Sequence, residues 1–356
     1  MNRLVCFALL FTLANCTSSV TKTINIFWEK NAYAQLFKIG TFNGSPVLQI
    51  YHPFDSGRVL QKFYKGKNKP GKNWQNLDSI ESIAAGSCIL ARYLELLGEQ
   101  ERVVALDNLD FFSSSYFQSK QSELLEFQKS AGIQYEKLAA QKCDVLLSSG
   151  MPKDLNLEIL KKIALPVVLF QNHLEKHPLG SAEWIKVVAF LVNRKEAVFE
   201  KEKVAYEGIR DKMGDSKINK VLLNAPYHGI WYVPKTETPI GQILKDANAI
   251  LKPYLPGKGS SPLAVEQIYT HADSIDYWLN PNLHRTRESM LSLDKRLWSF
   301  PPFLNAKIYN NTKQLQASGA NNYYETFSTQ PSLILQDLSL IFAGKNKELA
   351  FFEPLD

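Results

Sequence analysis

The sequence is punctuated by short, unbroken aliphatic runs: Arg102–Leu106 (RVVAL), Cys143–Leu147 (CDVLL), Pro166–Phe170 (PVVLF) and Lys220–Leu223 (KVLL). Each has strand length and lacks the polar–apolar alternation of a half-exposed strand, so both of its faces must be covered. Between them lie stretches with helical spacing, at Ile89–Leu97, Phe112–Ala131 and Leu155–Ile163. Strands buried on both faces and separated by helices pair in parallel. The fold class is α/β.

The alternation continues downstream. Ile240–Ile250, Val265–Ala272 and Pro331–Phe342 read as helices, and Ser274–Leu279 and Ala306–Tyr309 as strands. Upstream, Ala34–Tyr64 alternates in bursts around the turn residues Asn43-Gly44 and Pro53, which predicts an antiparallel hairpin or two. One segment departs from this rhythm. Ser181–Lys212 runs without proline, and its apolar positions Trp184, Ile185, Val188, Leu191, Val192 and Phe199 follow helical spacing. As one helix it would be about 48 Å long, a strut joining two lobes. The expected division is an N-terminal lobe over 16–180, an interlobe helix over 181–212 and a C-terminal lobe over 213–356, with a ligand cleft between the lobes.

A 45% hydrophobic, 21% charged composition can fill two such cores. The formal charge of +6 is spread along the chain, and its densest cluster, Lys62–Lys72, reads as a solvated turn. Nothing here reads as a nucleic-acid footprint. Residues 1–15 read as an export signal: Arg3, then the apolar run Leu4–Ala14, too short for the roughly 20 residues of a membrane span. The run ends Leu-Ala-Asn-Cys, so Cys16 is the candidate lipidation site, with a plain secretory signal as the alternative. Cys88 and Cys143 sit in apolar contexts and read as buried thiols, although a single bridge would also fit.

Catalytic motifs fail on inspection. His173 and His177 flank Glu175 in HLEKH, but the glutamate is misplaced for a zinc hydrolase and Pro178 follows at once. Gly66–Asn73 (GKNKPGKN) lacks the hydroxyl residue of a phosphate loop, and Ser87 in AAGSCIL lacks a nucleophile elbow. No cofactor or metal site is expected. What remains is Leu223–Pro234, LNAPYHGIWYVP, just beyond a strand. Ligands of open α/β sheets bind outside the carboxyl ends of strands, so Tyr227, His228, Trp231 and Tyr232 are expected to face the cleft. Three core aromatics are the alternative. The same rule nominates Ser87, Asn108, Ser149, Asn172 and His173 in the first lobe. In the second it nominates Trp278, Asn280, Asn310, Tyr323 and Tyr324.

Four motifs, HPLGSAEWIK (His177–Lys186), YHGIWYVPKTETPIGQILKDANA (Tyr227–Ala249), ADSIDYWLN (Ala272–Asn280) and IYNNTK with NNYYETFSTQPSLILQDL (Ile308–Lys313, Asn321–Leu338), carry a likeness. With the strand spacing, the chain resembles the periplasmic binding proteins of ABC importers for cobalamin, haem and ferric siderophores over roughly residues 30–345. The resemblance implies two α/β lobes on one rigid helix, a large small-molecule ligand, and a permease and ATPase complex as partners. It also implies a monomer, periplasmic and lipid-anchored, and permease docking through one acidic residue per lobe, here Asp154 and Glu266. It leaves the ligand open, and with it an axial haem ligand from His173 or His228. An exported α/β enzyme acting on a tetrapyrrole or chelate, or a free-standing scavenging lipoprotein, are the other readings. Pro234-Lys235-Thr236 and Asp246-Ala247-Asn248-Ala249 depart from the glycine-rich family pattern, which stiffens that rim.

Overall fold

The computed structural model describes residues 25–129, 132–214, 217–281, 284–292 and 294–355. The export signal and Cys16 lie outside the described residues. The chain opens with a five-stranded sheet, the antiparallel meander Phe27–Trp28, Phe37–Phe42, Ser45–Tyr51 and Val59–Tyr64 with Gln75–Asn76 added in parallel at its edge. Asn43 (φ 47°) and Gly44 (φ 79°) form its tight hairpin turn, where both central residues need positive φ.

Next comes a parallel sheet in the spatial order Val167–Leu169, Val145–Ser148, Ile83–Ala85, Val103–Leu106, Leu125–Glu126. Its central strands are almost wholly buried, as their unbroken aliphatic runs require. The meander caps one margin: the Gln61 amide donates to Val167 O at 2.8 Å, and its oxygen accepts from the Leu169 amide at 2.8 Å. A second sheet has the order Ala249–Leu251, Asn219–Leu223, Tyr277–Leu279, Ile308–Asn310, Glu353–Pro354. All its pairs are parallel except the last. Beside it lies a two-stranded antiparallel ribbon, Ile230–Pro234 with Ser260–Ala264. The two-lobe α/β expectation holds.

The single strut does not. The connection is three helices, Pro178–Glu183, Ile185–Val192 and Val198–Met213. Asn193 ends the second of them in the left-handed region (φ 56°), which asparagine tolerates better than most residues. The Lys65 ammonium fixes the break by donating to Leu191 O and Asn193 Oδ1, both at 2.8 Å. The Glu196 carboxylate then accepts from the Phe199 amide and starts the next helix. Ile185–Val192 is apolar apart from Lys186 because it is embedded in the first lobe and is not crossing solvent. Val198–Met213 is the longest of the three helices. It packs on the final helix, Pro331–Phe342, whose first turn is held by Glu202 accepting from Ser332 N (2.6 Å) and Ser332 Oγ (2.9 Å).

Two helical expectations also shrink. Phe112–Ala131 holds a short helix, Ser115–Ser119, followed by strands Leu125–Glu126 and Gln128–Lys129. Ile240–Ile250 splits into the helix Pro239–Asp246 and the strand Ala249–Leu251, because Asn248 (φ 53°) turns the chain back. One continuous apolar cluster includes residues of both sheets, among them Leu90, Leu147, Tyr206, Val221, Leu244 and Leu335. Cys88 and Cys143 are both free thiols. No helix among the described residues is long and apolar enough to cross a membrane.

Candidate functional site

The carboxyl ends of the strands set the site. In the first lobe Ile83–Ala85 ends at Gly86, whose amide bonds Leu147 O at 2.9 Å. A Cβ on Gly86 would lie 2.7 Å from that carbonyl, so only glycine lets the loop pass. Ser87 follows as the N-cap of the helix Cys88–Leu96, its hydroxyl accepting from the Leu90 amide at 3.4 Å. Val103–Leu106 ends at Asp107, whose amide bonds Ala85 O at 3.2 Å, and then Asn108, whose side chain accepts from the Asp110 amide at 3.0 Å. In the second lobe Tyr277–Leu279 ends at Asn280 (φ 55°), and Ile308–Asn310 is followed by a loop and then the helix Asn322–Thr329, which carries Tyr324.

Polar bridges join the loops at two places. At one, Glu325 accepts from the Ser113 amide at 2.9 Å, and Gln316 donates to Ser113 O at 2.9 Å. At the other, Lys176 pairs with Glu237 at 2.9 Å. Segments of the two lobes therefore touch at both places.

The nominated residues divide sharply. Trp231 and Trp278 are fully buried, their rings 5.3 Å apart and packed against Phe300 through Trp278. Their indole N–H groups donate to Leu223 O and Asn224 O, both at 2.7 Å. Both are core residues, and expecting them in the cleft is incorrect. The reason is the two-residue period of Ile230–Pro234, which alternates exposed and buried side chains. Trp231 and Val233 point inward, while Tyr227, His228, Ile230 and Tyr232 stay exposed.

Asn172, Asn310 and Tyr323 are likewise buried and committed to the protein. Asn172 bonds the Tyr93 hydroxyl at 3.3 Å, Asn310 donates to His284 O at 2.8 Å, and Tyr323 lies 5.4 Å from the Phe352 ring. Asn280 is nearly buried and approaches the Tyr323 hydroxyl at 3.5 Å. Ser87, Asn108 and Ser149 are half-buried at strand ends. His173 is open to solvent on one side, yet the protein around it desolvates the ring and lowers its pKa.

What remains accessible is aromatic. Phe111, Tyr227, Tyr254 and Tyr324 are all more than half exposed, and each follows a different parallel strand. Phe111 reaches across the lobes and lies against Gly319. Phe111 belongs to the Asn108–Phe112 loop that the strand-end rule marks. Tyr254 lies past an edge strand that reads as helix, which concealed it. No group of three or more His, Cys, Asp or Glu side chains among the described residues is placed to hold a metal ion.

A sequence profile described as periplasmic binding protein matches residues 83–288, more than half of the chain. The chain belongs to the periplasmic binding protein family. Solved members share its fold at low identity. A periplasmic binding protein from Veillonella parvula superposes with a TM-score of 0.60 at 11% identity, covering 87% of this chain and 98% of its own. A periplasmic haem-binding protein from Pseudomonas aeruginosa gives 0.57 at 16%, covering 78% and 98%. The periplasmic vitamin B12-binding protein of Vibrio cholerae gives 0.53 at 12%, covering 75% and 98%. A comparison with curated proteins finds no match.

In this binding protein Asp154 and Glu266 both stand on the surface, away from the core. Asp154 closes the turn Pro152–Asp154 by accepting from the Met151 amide at 2.9 Å. Glu266 opens the helix Val265–Tyr269 and meets Arg296 at 3.3 Å, and that guanidinium lies 4.4 Å over the Tyr269 ring.

Proposed function

We propose that this protein is the substrate-binding component of an ABC importer, capturing cobalamin, haem or a ferric siderophore and delivering it to a membrane permease. The observation that carries this is the set of exposed rings, Phe111, Tyr227, Tyr254 and Tyr324, each of which follows a strand of one of the two α/β sheets in the chain. Exposed rings offer a flat ligand large apolar area together with the polar tips of the tyrosines. The solved relatives that bind vitamin B12, haem and Ni(II) support the same reading. The export signal, lipidation at Cys16 and residence in the periplasm on a membrane anchor complete it. Asp154 and Glu266 supply the acidic docking points, both exposed on the surface, where a basic partner would reach Asp154 directly and compete with Arg296 for Glu266.

Titration of the purified protein with cyanocobalamin, haemin and a ferric hydroxamate, followed by absorbance and intrinsic fluorescence, tests the ligand class. Saturable binding without turnover of at least one is expected; none binding, or steady conversion of the ligand, would overturn the proposal. Replacing Asp154 and Glu266 together by Ala should leave affinity within a few-fold and lower uptake. Cys16→Ala should release the protein from membranes.

A further inference from the structure

We infer that the N-terminal sheet carries a lipid-facing surface: its hairpin end, with the lysine loop beside it, lies on anionic phospholipid headgroups and holds the tethered protein with one side toward the membrane. This rests on the reading of Cys16 as a lipid anchor.

The positive charge is concentrated, contrary to the even spread read along the chain. Residues 25–80 hold seven lysines and one arginine against one glutamate and two aspartates, a net +5, whereas residues 81–356 balance to −1. This sheet also precedes the region matched to the family, which begins at residue 83. Lys67, Lys69 and Lys72 are exposed on the loop after Val59–Tyr64, and none of the three pairs with a carboxylate among the described residues. The acid beside that loop, Asp78, accepts from the Gly66 amide at 2.8 Å and from the Asn76 side chain at 3.0 Å. At the opposite end of the sheet Arg58 is already paired with Asp55 at 3.6 Å.

The lysine loop is tied to the hairpin turn: the Asn68 side-chain amide donates to Asn43 O at 2.7 Å and its backbone amide to Ser45 Oγ at 3.4 Å. The chain enters at the same end. Phe27–Trp28 runs antiparallel to Phe37–Phe42 with Phe27 opposite Thr41, so the residues before it approach the hairpin. Nine residue steps separate Cys16 from Asn25, at most about 30 Å of extended chain. The tether therefore ends beside the unpaired lysines.

Register assigns the two faces of the sheet. Phe37, Leu48, Ile50 and Phe63 are buried in the core, while Lys38, Gln49 and Lys62 stand side by side on the other face. Trp28 joins that face over Gly40, where a Cβ would lie 2.9 Å from the ring. A concavity of about 580 Å³ is lined there by Trp28, Gln49, Lys62 and Trp74, and Phe27 beside it is 81% exposed. Ammonium groups around aromatic rings match the boundary between charged headgroups and acyl chains, and the concavity offers a headgroup phosphate the Lys62 side chain. A neutral glycan would use the rings and leave the lysines unanswered; an anionic lipid surface answers both.

The test uses the full mature chain, kept free of lipid by Cys16→Ser, sedimented with vesicles. Phosphatidylcholine vesicles should not retain it. Vesicles with about one-third phosphatidylglycerol should retain it at about 50 mM salt, and about 0.5 M salt should release it. Each lysine at an anionic surface contributes roughly fivefold. Lys67→Gln, Lys69→Gln and Lys72→Gln together should therefore weaken retention by about a hundredfold, with the melting temperature unchanged. Lys161→Gln, Lys162→Gln and Lys347→Gln together, exposed elsewhere, should change it by less than about threefold. An equal loss there would mark net charge alone and overturn the inference. Equal retention on both kinds of vesicle, a loop variant that binds like wild type, or retention on isolated peptidoglycan in preference to vesicles would also overturn it. The anchor is read separately, from the mass of the N-terminal peptide of the exported wild type. Failure at the vesicles thus overturns this inference and leaves the anchor standing, whereas a wild type without lipid overturns both.

Discussion

Replacing Trp231 by alanine discriminates between a fold support and a ligand contact. The indole is fully buried, stacks on Trp278 and gives its only N–H to Leu223 O. Truncating a buried tryptophan costs about 3–5 kcal/mol. Here the value should fall toward the upper end, because the buried Leu223 carbonyl loses its donor. At roughly 2–4 °C per kcal/mol for lobes of this size, the midpoint should drop by roughly 6–20 °C. Trp231→Phe keeps most of the apolar area and loses the hydrogen bond, so about 1–2 kcal/mol is expected. Thermal and urea unfolding read the loss, and ligand titration well below the midpoint reads the site. The reasoning is refuted if Trp231→Ala melts like wild type and loses affinity, since the ring would then face ligand.

The exposed rings should behave in the opposite way: Tyr227→Ala and Phe111→Ala are each expected to change stability by less than about 0.5 kcal/mol. Each should weaken ligand binding several-fold, as measured by fluorescence titration. Glu202→Ala unties Ser332 from the start of the last helix and should cost about 1–2 kcal/mol in urea unfolding. Glu175 accepts from Gln35 N, Leu36 N and Trp184 Nε1, yet burial raises its pKa to about 7 from an ordinary 4.5. Between those values the folded state holds the extra proton, so this contribution is full below about 4.5 and is lost as pH rises through 7. Wild type should therefore lose stability relative to Glu175→Gln from pH 5 to 8, and parallel melting curves would contradict this. His177, whose pKa burial lowers, acts with the opposite sign and is common to both proteins.

The parallel sheets were legible because a strand covered on both faces has no choice but a continuous aliphatic run, as in Val145–Ser148 and Asn219–Leu223. Short edge strands carry no such signature. Ala249–Leu251 merges with the helix before it, and only the left-handed Asn248 separates them. The connector misled for a related reason. Helical periodicity persists through Asn193, and the lysine that stabilises the break arrives from the distant meander. In Ile230–Pro234 the rings drew more notice than their period, and alternation alone assigns Trp231 inward and Tyr232 outward.

The Gln61 side chain has a further consequence. An open sheet margin offers unpaired N–H and C=O groups to any extended chain, including another copy still unfolded. At Val167–Leu169 one glutamine amide answers a carbonyl and an N–H of that margin, as a neighbouring strand would, yet it cannot be extended into a ladder. Glu353–Pro354 closes a margin of the second sheet with an antiparallel stub that ends in proline, which has no N–H to offer. A chain that folds among many copies of itself thus presents few templates for mispairing, and Gln61→Ala should show its cost as aggregation during refolding more than as lost stability.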